Sequence, residues 1–444
     1  MKLGRQRREA TRLVGGLLAG LVGLQPWLGR AQYVPNYFPS GVPGFDQELG
    51  VTVVTRVRPL YEQPGIRVGS FIISPNLDES VGYNSNVLGF ERGPGSPVIE
   101  TNPRVTINSD WARNAFGASL SVDDLRYPEA SNQDQTNWNA TIGGAYTIGR
   151  SNLALAYGHL SVHENATEIG APPSTTPIPY TLDDWRSDYT FDLGRVKITP
   201  NGEFSLFRFG EASILGVPSN ESFLNSNVLQ GGAAARYEMS EQRSLLLVLQ
   251  GIDSDFINNV ANMPSLSSTS GLAMGGIDYQ YDGLWRYQLL GGLEVRQFAA
   301  AQFKTRMAPI AKGTIIWTPT GLTTVTATLL RTIDSPTQEA SSGFIYNTAE
   351  LRVDHEYRRN LLLNGETGIG VAEYLQNGST QTQFHGSAGI TWLLNRNMRL
   401  TGQYTFTKQT GGGTSVGIGP PVVNTLLNGR YTQSLFLLTF HVGI

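Results

Sequence analysis

Strict alternation of apolar and polar side chains is the feature that most restricts what this chain can fold into. The stretch MRLTGQYTFTK, residues 398–408, places Met398, Leu400, Gly402, Tyr404 and Phe406 on one set of alternate positions. The other set reads Arg399, Thr401, Gln403, Thr405 and Thr407. Period-2 alternation predicts a β-strand with one apolar and one polar face. The apolar face meets the core in a soluble sandwich and lipid in an outer-membrane barrel.

The spacing of the turns favours the barrel. From about Arg67 onward, alternating segments of about ten to fourteen residues are joined by short and long connections in turn. The short ones have tight-turn compositions: RN (113–114), GRS (149–151), LGR (193–195), SEQR (240–243), DG (282–283), TPTG (318–321), RRN (358–360) and NRN (395–397). The long ones are rich in Gly, Pro, Ser and Asn, as in NATEIGAPPSTTPIP and TGGGTSVGIGPP. This rhythm predicts an all-β, antiparallel, up-and-down transmembrane barrel of about 18 strands, within a range of about 16–18.

Charged residues recur on the face opposite the apolar one. These candidates for a water-filled lumen are Arg286, Glu294, Arg296, Glu350, Arg352, Asp354, Glu356 and Arg399. A wet lumen accommodates such charges more readily than a dry interior, where each would need a partner. Their mixed signs argue against a simple anion or cation filter and suit a neutral or weakly charged polar solute, including a sugar chain. The alternative is that they pair across neighbouring strands and stiffen the wall.

Composition and aromatic placement agree with a membrane barrel. Charged residues make up 16% of the chain, against roughly 25% in an ordinary soluble domain, and there are 51 glycines. Trp111, Trp138, Trp317 and Trp392 lie near predicted strand ends, as an interfacial aromatic girdle requires. The net charge of -3 gives no electrostatic reason to expect a nucleic-acid partner.

The amino-terminal region differs from the rest. Basic residues between Lys2 and Arg12 precede the apolar run Leu13–Leu24 and a small-residue site ending at Ala31. This pattern predicts a signal peptide over residues 1–31. Residues 32–66 are rich in proline and predict an extended periplasmic or plug-like arm, in which VTVVTRV could form a short edge strand. Residues 67–444 form the predicted barrel.

No sequence motif predicts catalysis, a cofactor or a metal site. The chain has no cysteine, and its five histidines do not gather around one nucleophile, so it is not expected to be an enzyme. His159 and His163 share a face of one predicted strand and could form a metal pair, although two wall residues near the outer rim are the simpler interpretation. Asp123–Asp124 and Asp183–Asp184 could hold calcium at the strand ends, with solvated rim charges as the alternative.

The segment RVRPLYEQPGIRVGSFIISPNLDESVGYNSNV, residues 56–87, resembles the opening of a bacterial family known as putative β-barrel porin, type two. The matching residues are Arg56, Arg58, Pro59, Tyr61, Gly65, Gly69, Ser70, Phe71, Pro75, Tyr83 and Asn86. The resemblance implies an outer-membrane barrel of Gram-negative bacteria and, more loosely, an association with export or display of surface polysaccharide. It implies no catalytic residues.

Three functions remain open on the sequence alone. The first is a porin-like channel for polar solutes, which includes polysaccharide export. The second is a non-conducting barrel, closed by its arm, that scaffolds an envelope or exopolysaccharide assembly. The third is a soluble, secreted all-β binding protein. The expected partners of a barrel are outer-membrane lipid, lipopolysaccharide and the barrel assembly machinery, with a periplasmic or polysaccharide-export partner on the arm.

Overall fold

The computed structural model describes residues 43, 52–54, 56–171, 174–214, 217–258, 264–334, 343–375, 378–411 and 429–444. Its strands are β1 Ile66–Val68, β2 Phe71–Asn84, β3 Ser96–Ser109, β4 Ala115–Arg126, β5 Gln135–Ile148, β6 Ser151–Glu164, β7 Ile178–Asp192, β8 Val196–Phe209, β9 Glu211–Ile214, β10 Val217–Asn220, β11 Ser226–Ser240, β12 Arg243–Phe256, β13 Ser268–Tyr281, β14 Trp285–Phe298, β15 Arg306–Thr320, β16 Thr323–Asp334, β17 Phe344–Arg358, β18 Leu361–Tyr374, β19 Thr380–Leu393, β20 Met398–Gly411 and β21 Tyr431–Gly443. Two short 3₁₀ helices, Ser131–Gln133 and Glu221–Leu224, complete the described elements. The predicted signal peptide and most of the predicted arm lie outside the described residues.

The long strands form one closed antiparallel barrel. Each of β2–β8 and β11–β21 pairs with its neighbour in this series, and β2 pairs with β21 from Asn76↔Gly443 to Asn84↔Leu435. Within the described residues this gives eighteen barrel strands, as the sequence predicts. The short β1 pairs only with β2, and β9 and β10 form a separate hairpin. No helix among the described residues is long and apolar enough to cross a membrane.

The predicted sorting of connections is confirmed. The short turns lie between β3 and β4, β5 and β6, β7 and β8, and onward in the same alternation to β19 and β20. The long connections lie at the opposite end of the barrel, as in 85–95 and 165–177. Short periplasmic turns and long outer loops are typical of bacterial outer-membrane barrels, and this fixes which end of the barrel faces the periplasm.

Side-chain exposure shows which face of each strand points outward. In β20 the Tyr404 side chain is 45% exposed, whereas Thr405 and Thr407 are buried. In β5 Trp138 and Ile142 are exposed and the alternate polar residues are buried. The apolar face therefore points outward to lipid and the polar face lines the barrel interior. A soluble sandwich, with the reverse arrangement, is excluded for this chain.

The tryptophans lie near strand ends, as an interfacial aromatic girdle requires, and Trp285 is an additional member. Trp111, in the turn between β3 and β4, and Trp392, at the periplasmic end of β19, are exposed. Trp317 stacks on Trp285 of the neighbouring strand with ring centroids 5.0 Å apart.

The suggested edge strand around VTVVTRV is wrong at its centre, because Val53 and Val54 lie in a turn.

Candidate functional site

The barrel interior is the candidate site, because all eight predicted charges project into it. Arg296 and Glu294 form an ion pair of 3.1 Å between Nη2 and Oε1, and both side chains are buried. Arg296 also donates to the Ser270 hydroxyl and to the carbonyl oxygen of Ile333. This arginine is therefore held against the wall on the outer half of the barrel rather than free to meet a solute.

A second ion-pair group lies nearer the periplasmic end of the same wall. Asp278 Oδ2 lies 3.4 Å from Arg286 Nη2 and 3.0 Å from Nη1 of Arg236, on β11. Sequence analysis missed Asp278 and Arg236. The signal was present, since both occupy inward positions of their strands, but their mutual approach depends on the strand register.

The charged ladder on β17 also finds partners. Arg352 Nε lies 2.9 Å from Asp354 Oδ2, and its Nη1 lies 3.6 Å from Glu366 Oε2 on β18. Glu350 Oε2 accepts a hydrogen bond from the Thr328 hydroxyl at 3.3 Å. The candidates thus line the lumen and also pair across neighbouring strands, as the alternative interpretation states. Their part in solute passage stays a prediction.

Glu356, the last of that ladder, holds the arm inside the periplasmic end of the barrel. Its Oε2 accepts from Arg56 and, at 3.0 Å, from Arg58 Nη2. Arg56 Nη1 also donates to the Gly321 carbonyl at 2.6 Å, and the Val53 amide donates to the Thr324 hydroxyl at 3.0 Å. We call this set of contacts the arm latch.

A further contact fixes the arm at the seam where the barrel closes. Gln63 Nε2 lies 2.7 Å from His441 Nε2, and His441 Nδ1 lies 2.6 Å from Asp78 Oδ1. Arg399, the remaining predicted candidate, places Nη2 3.1 Å from the same His441 Nδ1. Sequence analysis missed this group because Asp78 and His441 are brought together only by closure of the barrel.

Replacement of Glu356 by glutamine should release the arm. The glutamine keeps the side-chain size but loses the charge, and a hydrogen bond to a charged group contributes about 1.5–3 kcal/mol, so we expect trypsin to cut after Arg56 about tenfold faster. The measurement is the cleavage rate of the folded protein in detergent. Glu350→Gln is the matched control, since Glu350 lies inward on the same strand and bonds Thr328. Equal rates for both variants would show that Glu356 does not hold the arm.

The outer mouth is narrowed by residues 165–171, which follow β6 and which we call the crossing loop. The Gly170 amide donates to Gln381 Oε1 at 2.9 Å. Gln383 Nε2 and the Tyr431 hydroxyl each donate to the Thr167 carbonyl, both at 2.9 Å. The shorter path around the barrel from β6 to β19 passes β5, β4, β3, β2, β21 and β20. The loop therefore spans the mouth from one wall to the opposite one.

An apolar contact anchors the crossing loop. Ile169 is 1% exposed and belongs to a buried cluster with Phe344, Tyr346, Ala372 and Tyr374 on the inner face of β17 and β18. Sequence analysis missed this loop, because a long Gly- and Pro-rich connection carries no local mark of the wall it contacts.

A second connection folds inward beside it. Phe223 and Leu224, in the 3₁₀ helix before β11, are buried in a larger apolar cluster with Leu160, Tyr180 and Leu182 from the inner faces of β6 and β7. Apolar side chains that pack inside the mouth reduce the open cross-section of the channel there. Together the two connections leave the middle of the barrel between a narrowed outer mouth and the arm latch.

His159 and His163 are wall residues of β6, whereas the prediction that Asp183–Asp184 lies at a strand end is wrong, because the pair lies inside β7 and Asp184 is fully buried. His159 Nδ1 lies 2.7 Å from Asp183 Oδ1, and its ring packs 5.0 Å from that of Trp138 on the outward face. Within each aspartate pair the two side chains point to opposite faces of a strand, because neighbouring residues alternate. Among the described residues no group of three His, Asp or Glu side chains could hold a metal ion.

Comparisons with solved structures gave low sequence identity throughout. Acinetobacter baumannii OccAB2 matches with a TM-score of 0.46 and 8% identity, covering 85% of this chain and 99% of that one. Pseudomonas aeruginosa OccK1 (OpdK) gives 0.45 and 11%, covering 84% and 99%. A BenF-like porin from Pseudomonas fluorescens Pf-5 gives 0.47 and 8%, covering 85% and 100%. No curated protein sequence matched the chain.

A family model decides the family. The model described as putative beta-barrel porin 2 matches residues 58–416, which is most of the chain and extends far beyond the segment 56–87. The loose implication of polysaccharide export gains no support from this model. The protein is therefore a porin-like channel of the cell outer membrane, and it belongs to the putative β-barrel porin 2 family.

Proposed function

We propose that this channel carries small polar solutes by diffusion and that its arm restricts passage at the periplasmic end. The observation that carries the proposal is the inner face of the barrel, which is lined over most of its circumference by paired charges and by amide and hydroxyl side chains. A barrel of sixteen to eighteen strands is wide enough to enclose water. The crossing loop and the arm latch both reduce the open cross-section, which favours small solutes over a polymer chain.

The inner-face charges support a channel without strong charge selection. Arg286, Arg296 and Arg352 each lie beside a carboxylate, so their fields are largely compensated for a passing solute. Compensated pairs still offer hydrogen-bond donors and acceptors to hydroxyl groups. The lumen as a whole therefore suits hydrophilic solutes and discriminates mainly by size.

The test is planar-bilayer conductance of the refolded chain that begins at residue 32, compared with a chain that lacks residues 32–64. We expect steady conductance from the first and conductance at least about twofold higher from the second, because the latch no longer narrows the channel. Heat-modifiable migration in gels confirms a folded barrel in both cases. If neither folded protein conducted, the proposal would be contradicted and the chain would be a non-conducting structural barrel.

A further inference from the structure

The inner wall is not uniformly polar. Across β12–β16 its middle carries partly exposed apolar side chains, namely Leu246, Val248, Leu272, Met274, Leu290 and Leu330. The wall formed by β19 and β20 carries Gln383, Gln403, Thr405 and Thr407 on its inward positions instead. Apolar surface facing water inside a channel is unfavourable unless something covers it. We call this region the apolar wall.

A single lysine lies within the apolar wall. Lys312, near the middle of β15, pairs with Leu290 on one side and Leu330 on the other. The next residue, Gly313, faces the Leu289 and Leu329 side chains, which are exposed on the outer surface. Since neighbouring residues of a strand point to opposite faces, Lys312 points into the lumen.

Lys312 differs from the lumen arginines in being available. It is exposed, and within the described part of the chain it forms no ion pair. Glu350, the carboxylate two strands away, bonds Thr328, and Glu294 bonds Arg296. A lysine ammonium on a flexible stem reaches past the leucines into water, while its methylenes lie along them. Within the described residues Lys312 is thus an exposed cation without an ion-pair partner, set in an apolar surface.

We propose that the apolar wall and Lys312 form a solute-binding site for amphipathic organic monoanions, that is, solutes with an aromatic or aliphatic body and one oxyanion. The body would cover the partly exposed leucines, and the oxyanion would meet the ammonium group. The polar side chains of β19 and β20, about a quarter of the way around the barrel, would keep another side of the solute hydrated. This site rests on the proposed channel function and adds a preference within it.

The test uses current block by benzenesulfonate, which is permanently charged, with methanesulfonate as the anion that lacks the ring. We expect the half-blocking concentration of benzenesulfonate for the wild-type channel to be at least about fivefold lower than that of methanesulfonate. Lys312→Met should raise the half-blocking concentration of benzenesulfonate about fivefold, the size of one partly exposed ion pair, while Lys312→Arg keeps it within about twofold. Lys408→Met is the matched control, because Lys408 is exposed between the inward Thr407 and Gln409 and so points outward.

A second variant separates the two halves of the site. Leu290→Gln should raise the half-blocking concentration of benzenesulfonate about threefold and leave that of methanesulfonate unchanged, because only the ring loses its apolar contact. The reversal potential in a KCl gradient should also shift toward cations in Lys312→Met and not in Lys408→Met.

The outcomes distinguish this site from the channel itself. No conductance from the folded wild-type protein would overturn the channel function. Normal conductance with equal block by both sulfonates, or an unchanged block in Lys312→Met, would overturn the site and leave the channel intact. An equal loss of block in Lys408→Met would show a general surface-charge effect and would also overturn it.

Discussion

Replacement of Ile169 by aspartate should raise single-channel conductance by about twofold or more, because it releases the crossing loop from the outer mouth. Ile169 is buried among the aromatic side chains of β17 and β18, and an unpaired carboxylate in that cluster would be strongly unfavourable. The loop can avoid this cost by leaving the wall, which would break its hydrogen bonds to Gln381, Gln383 and Tyr431.

The control for this experiment is Ile169→Val, which keeps the apolar anchor and should conduct like the wild type. Gln383→Ala should give an intermediate conductance, and Gln403→Ala, inward on the next strand, should have no effect. An unchanged conductance in the folded Ile169→Asp protein would mean that the crossing loop does not limit the current and that the constriction lies at the arm latch.

Replacement of Gly292 by alanine should lower the free energy of unfolding of the barrel by about 1–3 kcal/mol, the usual cost of overpacking a tightly packed site. A Cβ on Gly292 would lie 1.9 Å from the Ala273 carbonyl oxygen and 2.7 Å from the Met274 Cα. These are backbone atoms of the neighbouring strand, which cannot move without disturbing the ladder between β13 and β14.

The adjacent Gly291 is the matched control. It lies on the outward face, and a Cβ there has no heavy atom within 4 Å. Gly291→Ala should therefore change stability by less than about 0.5 kcal/mol. The measurement is urea unfolding of each variant refolded in the same lipid, followed by tryptophan fluorescence. Equal stabilities for the two variants would show that the wall relaxes around a methyl group at Gly292.

Local alternation was enough to predict the strands and the two faces of each strand. The prediction that Tyr404 faces outward and Thr405 inward needed only the period of the strand, because successive Cβ atoms along a strand point to opposite faces. The alternation of short and long connections then favoured a membrane barrel over a soluble sandwich. The eight charged candidates followed from the same argument, and all of them project inward.

The pairs Glu294–Arg296 and Arg352–Asp354 lie two positions apart on one strand, but the contacts of the charges with distant residues could not be predicted from the sequence. Glu356 and Arg56 are separated by 300 positions, and Gln383 and Thr167 by 216. Such pairs meet only after the strands have registered and the barrel has closed, and no local pattern reports that geometry. Strand register also decided that Arg296 bonds Ser270 and the Ile333 carbonyl, whereas Lys312 lies between Leu290 and Leu330, although both occupy inward positions of their strands.

The sequence by itself therefore determined the class of fold, the membrane and the two faces of the wall, since these depend on periodicity and on turn composition within short windows. Only the tertiary structure decided where the lumen narrows, which charges are compensated and where the arm enters. Those properties depend on distances across the barrel, and such distances are set by strand register and by loops that pack against the far wall.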